Sequence, residues 1–350
     1  MSRNTEASQL LRWRMSSHLL LEPSGAIGTT INQMLAVQSQ DLAAGRYALA
    51  QRAGPNYSRE DINSHFNNGV LVRAWTMRGT LHICAAEDFH WLMKATRDRT
   101  LAALATQRRN LGITNQDIEL AERYIVEHLK LHASANRTEL GRRLHEHGVN
   151  VDGQRAYHLL MAVVLNGLIC LGPIPPASGI TAQDFVLAEN WIHHPRTVQY
   201  PIPELVLRYL LGHAPASARD ASWYTGQTLT SIRRAIAELG DRLLVVARDE
   251  RGEELFATTS QVEQWDAQEH HDVALPLRLL GPFDEYYLSY SDRSRVADDE
   301  LRAQIGPGSN GMVKAFWLRA GRAENLWNAN AAPTDSIGAA LHQRYLSFRS

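Results

Sequence analysis

Cysteine is nearly absent: Cys84 and Cys170 are the two in 350 residues, each inside an apolar run. That excludes a disulfide-built scaffold, and both thiols are expected to be buried and free. No apolar run approaches the ~18 residues that cross a bilayer. The start, Met1-Ser2-Arg3-Asn4-Thr5-Glu6, lacks the basic-then-apolar order of a secretory signal. The chain is therefore expected in the cytoplasm, away from membranes. A dominant charge is missing as well. Lys and Arg number 36 and Asp and Glu 37, a formal net charge of −1, so net charge does not mark a nucleic-acid binder. His145-Glu146-His147, His193-His194 and His270-His271 lack zinc-site spacing with further ligands, and no metal is expected. Gly306-Pro307-Gly308-Ser309-Asn310-Gly311 matches G-x-G-x-x-G formally, but Pro307 removes an amide and no strand-turn-helix surrounds it. No Gly-x-Ser-x-Gly nucleophile elbow is present. Asn136-Arg137-Thr138 is a glycosylation sequon without meaning in a cytoplasmic protein.

What is present is a soluble globular composition, 44% apolar and 21% charged. Its length suggests two to four domains. Charge is unevenly spread. Residues 1–110 carry 13 basic and 8 acidic groups, whereas residues 201–294 carry 9 and 15. The basic set is nearly all arginine, which grips phosphate with paired hydrogen bonds, so one local phosphate-facing surface is compatible with neutrality overall.

Apolar spacing predicts helices over residues 5–21, 29–37, 40–53 and 59–68. Ser39 is the candidate cap of the third, and Gly54-Pro55 its stop. Residues 70–75 and 77–84 read as strands, and 87–104 as a helix. The order then recurs. Helices are expected over 115–131, from Thr138, and over 154–166, with strands 168–171 and 185–188 around a Gly/Pro-rich loop. It recurs again with helices 203–211, 217–224 and 230–239 and a hairpin, 243–247 and 254–257, around Asp249-Glu250-Arg251-Gly252. Helices followed by a two-stranded wing, three times over, is the pattern of tandem winged-helix units. The expected fold is thus α+β and mainly helical. It has units over 1–110, 111–200 and 201–270 and a β-rich C-terminal segment, 271–350, with strand 275–280, a hairpin 312–327 and a helix 336–348. An α+β enzyme with incidental hairpins is the alternative.

Two stretches carry candidate chemistry. Gln38-Ser39-Gln40-Asp41 places two neutral amides two residues apart beside a helix start. Within a helix they diverge by ~200°, so they converge only if the segment is a turn or extended. Arg78, Thr80 and His82 fall on one face if their run is a strand, with Met77, Leu81 and Ile83 inward. Gly79 fits a bulge or a close backbone approach. In this order, Leu35-Ala36-Val37-Gln38-Ser39-Gln40, Arg73-Ala74-Trp75-Thr76-Met77-Arg78-Gly79-Thr80-Leu81-His82, Asp220-Ala221-Ser222-Trp223-Tyr224-Thr225-Gly226 and Phe283-Asp284-Glu285-Tyr286-Tyr287-Leu288-Ser289-Tyr290 resemble the bacterial winged-helix DNA glycosylases. That family includes the azinomycin-resistance and interstrand-crosslink-unhooking enzymes. The resemblance spans about residues 10–327. It implies three winged-helix units on double-stranded DNA and hydrolysis of the N-glycosidic bond of N7-alkylated purines, without metal or cofactor. The protein is expected to act as a monomer. The family's catalytic glutamines fall on Gln38 and Gln40. Two positions depart from its pattern: Ser39 where an aliphatic residue is usual, and Asn325 where the terminal hairpin usually has a second glycine.

An N7-alkylated guanine is already cationic and leaves without a protonating acid. The remaining task is to position water and to stabilise an oxocarbenium-like sugar. An amide carbonyl can orient that water. Supporting roles are expected for Arg78 on phosphate, and for Thr80 and His82 holding the glutamines or the water. A solvent-facing wing with a structural histidine is the alternative. Asp41 is either an electrostatic stabiliser or a helix N-terminal carboxylate. Asp284 and Tyr286 belong either to an aromatic-acidic surface near the site or to the core. Trp223 and Tyr224 read as core. Arg73, Arg233, Arg234, Arg293 and Arg322 are the candidate DNA contacts. A non-catalytic winged-helix regulator and an unrelated hydrolase using His82 are the competing functions.

Overall fold

The computed structural model describes residues 3–175, 182–267, 274–308, 311–327 and 335–349. It is α+β, mainly helical, with small antiparallel sheets. The chain forms two compact units, Met1–Ile62 with Ile202–Ser350, and Asn63–Pro201. This division by compactness differs in kind from a division by repeated elements: the chain leaves the first unit and later returns to it.

In the first unit the helix Ile27–Met34 ends where Leu35 takes a left-handed φ of 63°. Arg208 of the helix Pro201–His213 covers that end by donating from Nε and Nη2 to Asn32 O at 3.0 and 2.7 Å. Gly212 lets the two backbones meet there, since a Cβ would lie 2.8 Å from Gln33 O. Residues 36–37, expected to continue the helix, instead begin the strand Ala36–Gln38. The following helix is Leu42–Ala53, buried along its whole length. Asp41, not Ser39, caps it, with Oδ1 accepting from Ala44 N at 3.0 Å.

Further along this unit the hairpin Leu243–Arg248 and Glu254–Thr258 is closed by the two-residue strand Ala216–Ser217, which pairs with Glu254–Thr258. Asp249 Oδ1 accepts from the Arg251 and Glu253 amides and sets the turn. Ser217 and Asp220 form a reciprocal capping box on the helix Ala218–Thr225, and Leu229–Leu239 follows. A second sheet joins Arg278–Leu280, Phe316–Arg319 and Arg322–Leu326 around the middle strand. Its first strand is shorter than 275–280, because Pro276 has no amide to pair. This sheet covers a core of Met15, Leu20, Leu280, Tyr286, Tyr287 and Phe316.

In the second unit the strands run in the order Leu81–Ala85, Leu71–Trp75, Ile169–Leu171, Phe185–Leu187, all antiparallel. The hairpins read from sequence as two separate wings thus share one sheet, joined where Arg73 faces Leu171. Asn136, not Thr138, caps the helix Arg137–Glu146. Both cysteines are buried and free, as expected. Residues 176–181 of the Gly/Pro-rich loop, His270-His271 and Ser309-Asn310 lie outside the described residues.

Candidate active site

In the first unit the strand Ala36–Gln38 brings Gln38 to 7% exposure, and the bend after it leaves Gln40 exposed. The pair therefore lies on extended and bent chain rather than on a helix, which is the condition for two such amides to serve one centre. Side chains clamp the strand's main chain. Tyr224 donates its hydroxyl to Ala36 O at 3.2 Å. The Gln38 N–H donates to Glu285 Oε1 at 2.6 Å.

Glu285 opens the short helix Glu285–Leu288 and is fully buried. Its Oε2 accepts from Ser289 Oγ at 2.5 Å and lies 4.0 Å from His213 Nε2. His213 Nδ1 carries a proton, because its partner at 2.8 Å is the Tyr209 carbonyl, which only accepts. The His213 ring stacks on Tyr209 at 4.9 Å and leans on Tyr224 at 4.7 Å. Tyr290 donates to His213 O at 2.8 Å, so His18 Nε2, 3.0 Å from the same hydroxyl, is the donor there. Burial, then the neighbouring His213, Arg52 and Arg14, hold His18 well below the ordinary histidine range and neutral.

The expected supporting residues divide. Asp41 is a helix cap whose Oδ2 also accepts from Arg349 Nη1 at 2.7 Å, so its charge is committed to structure. Asp284 is sealed against Arg52 and caps the Tyr286 amide at 2.9 Å. Tyr286 is fully buried with its hydroxyl on Gly321 O at 2.9 Å. Neither of the last two forms an aromatic-acidic surface; both belong to the core, because each polar atom already has an internal partner. Tyr224 is core as expected. Trp223 is half exposed, its indole N–H held by Leu288 O at 2.9 Å.

In the second unit the run Met77–His82 is not one strand. Met77–Gly79 is a 3₁₀ turn, with Arg78 and Gly79 both left-handed at φ 57° and 71°, and the strand begins at Leu81. Two successive left-handed residues reverse the chain, and glycine takes the second without a Cβ penalty. Gly79 is therefore neither a bulge nor a close approach: a Cβ there would meet only ordinary contacts at 3.6 Å. Arg78 and Thr80 lie in the turn, half-buried, and His82 is fully buried instead of solvent-facing. His82 Nδ1 lies 3.0 Å from Thr80 O and 2.8 Å from Thr76 Oγ1. Its Nε2 is buried without a hydrogen-bond partner among the described residues. Burial first, then the Arg78 charge, pushes His82 down to about 3, against a smaller opposing effect of the Thr80 carbonyl. The ring is a neutral acceptor at Nε2.

Of the candidate DNA contacts, Arg233 and Arg234 are exposed on the helix Leu229–Leu239, and Arg234 pairs with Glu238 at 2.7 Å. Arg322 is exposed on the terminal hairpin and donates to Arg295 O at 2.9 Å. Arg73 is only 7% exposed and is withdrawn from phosphate. Arg293 is half-buried, its guanidinium between the Trp223 and Tyr287 rings and its Nε on Tyr287 O at 3.0 Å, so it is a packing cation.

A family model described as DNA glycosylase AlkZ-like matches residues 31–336. The chain belongs to the AlkZ-like DNA glycosylase family. The matched span takes in Gln38, Gln40, His82, Glu285 and Arg322. This AlkZ-like chain is 24% identical over 343 residues to the "Interstrand DNA cross-link repair glycosylase" of Streptomyces sahachiroi, covering 91% of itself and 86% of that relative. The solved structure of the Streptomyces sahachiroi DNA glycosylase AlkZ matches it with a TM-score of 0.78 at 20% identity, over 97% of this chain and 96% of that one, a likeness of fold. No helix among the AlkZ-like chain's described residues is long and apolar enough to cross a membrane. No group of three or more His, Cys, Asp or Glu among them is placed to hold a metal ion. What the sequence reading missed in this family member is Glu285, with Ser289 and His213 behind it. Glu285 stands beside Asp284 in the motif, and the one available signal was a second carboxylate in an otherwise apolar and aromatic run.

Proposed function

We propose that the protein is a monofunctional DNA glycosylase that hydrolyses the N-glycosidic bond of N7-alkylated purines in duplex DNA. Bulky and interstrand-crosslinked adducts are included. It acts as a monomer, without metal or cofactor. The observation that carries the reading is the Gln38–Gln40 pair on strand and bend, with its main chain clamped by Glu285 and Tyr224. Gln38 and Gln40 orient the attacking water by their amide carbonyls, and the cationic base leaves without a general acid. His82 is a neutral acceptor in a dry setting within its own unit. Arg78 serves phosphate. Three tandem winged-helix units present the site. The third is best supported, because helix, short strand, two helices and hairpin follow in order and the short strand closes the hairpin. The crosslink part of the reading is favoured by the function named for the Streptomyces sahachiroi relative.

The test is a single incubation of the protein with duplex DNA containing N7-alkylguanine, followed by alkali. Strand breakage at the modified base after alkali, with none before it, supports a monofunctional glycosylase. Intact strands after alkali, with duplex binding retained, put the non-catalytic regulator ahead.

A further inference from the structure

We propose that Glu285 is a positioning residue for base excision. Its carboxylate holds the Gln38 main chain, and through it the Gln38 amide, in register for the attacking water. This rests on the role of Gln38 proposed above.

The strand Ala36–Gln38 is three residues long and follows a left-handed Leu35. Side chains hold two of its main-chain atoms, Ala36 O by Tyr224 and Gln38 N by Glu285. The second bond is charge-assisted and short, which makes it roughly twice as strong as a neutral one. Glu285 and its neighbour Asp284 have different partners. Asp284 takes both prongs of Arg52, whereas the donors to Glu285 include a main-chain amide and the Ser289 hydroxyl. A carboxylate with no exposure is costly unless its oxygens are occupied, and here one oxygen is occupied by the residue that carries the chemistry. The His213 ring braces both clamps, 4.7 Å from the Tyr224 ring and with its Nε2 4.0 Å from Glu285 Oε2. A main-chain shift at Gln38 is carried along its side chain to the amide, and a misplacement of about 1 Å costs on the order of 100-fold in rate.

Single-turnover excision, duplex affinity and amide hydrogen exchange over residues 36–38 test this on the full-length protein. Glu285→Ala is expected to slow excision on the order of 100-fold, leave affinity within about threefold, and raise exchange at Gln38. Glu285→Gln, which keeps an acceptor at the same reach, should retain more activity than Glu285→Asp, which keeps the charge but falls a methylene short. A purely electrostatic role reverses that order and overturns the proposal, and the comparison stands even if Glu285→Ala does not fold. In a Gln38→Ala background the loss of Glu285 should cost little, because the group it positions is already gone. Equal costs in the two backgrounds overturn the proposal. If the wild-type protein excises nothing, the proposed reaction falls. In that case unchanged exchange at Gln38 in Glu285→Ala and Glu285→Gln overturns the positioning itself, and raised exchange upholds the clamp.

Discussion

Arg52 and Asp284 form a two-pronged ion pair, 2.7 Å from Nη2 to Oδ1 and 3.1 Å from Nη1 to Oδ2, with essentially no solvent on either side chain. It ties the helix Leu42–Ala53, which follows the glutamines, to the residue next to Glu285. The helix that follows the glutamines and the Glu285 clamp are thereby referred to one frame.

Breaking that pair from one side leaves a buried, uncompensated charge. Arg52→Met and Asp284→Leu are each expected to destabilise the protein by about 3–5 kcal/mol. The double variant should cost clearly less than the sum. Urea unfolding of the two singles and the double gives the cycle. Additive losses would show that the pair is not coupled.

Gln38→Ala and Gln40→Ala should each lower single-turnover excision with little change in duplex affinity, because each amide acts on the way to the transition state. If both hold one water, the double variant is less than additive. Gln40 is exposed, so its replacement should leave the melting temperature unchanged. Gln40→Glu should keep some of the activity that alanine abolishes. Wild-type rates in both alanine variants would remove the catalytic assignment.

Acid should weaken the fold through its buried histidines. The folded pKa of His82, about 3, is below the unfolded value of 6.5. Between these values the unfolded chain binds the proton and the native chain does not. Stability is therefore full above about pH 6.5 and falls as pH drops toward 3, by up to ~1.4 kcal/mol per pH unit for each such histidine. His18 acts with the same sign. Urea midpoints at pH 7 and pH 5 should converge in His82→Phe relative to wild type. An unchanged difference would mean that His82 titrates normally in the folded protein.

Binding to undamaged duplex should be weak to moderate and fall steeply with salt, since arginine supplies the contacts on a neutral chain. Arg233→Ala should lower the slope of log affinity against log salt by about one unit. Arg293→Ala should leave that slope alone and lower stability, because its guanidinium packs between Trp223 and Tyr287. Affinities measured from 50 to 300 mM salt for both variants decide this. Equal slopes in wild type and Arg233→Ala would take Arg233 out of the phosphate interface.

The local elements were legible in the chain because their causes are local. Apolar spacing marks the helices Asn115–Leu131 and Leu229–Leu239, and Asp249 to Gly252 mark a turn. The Gln38–Gln40 pair was legible too, since two amides beside a helix start stand out in any register. Tertiary structure alone decided how the carboxylates divide their work. Asp284 and Glu285 are adjacent and chemically alike, yet one meets a guanidinium from Leu42–Ala53 and the other the amide of Gln38, 247 positions away. Sequence patterns report which groups are buried through their periodicity, but a buried charge is defined by its partner, and the partner is set by long-range packing. The same holds for His82. It reads as the face of a polar strand, and becomes a dry, neutral ring because a turn at Arg78 and Gly79 replaces the strand and the sheet is covered on both sides.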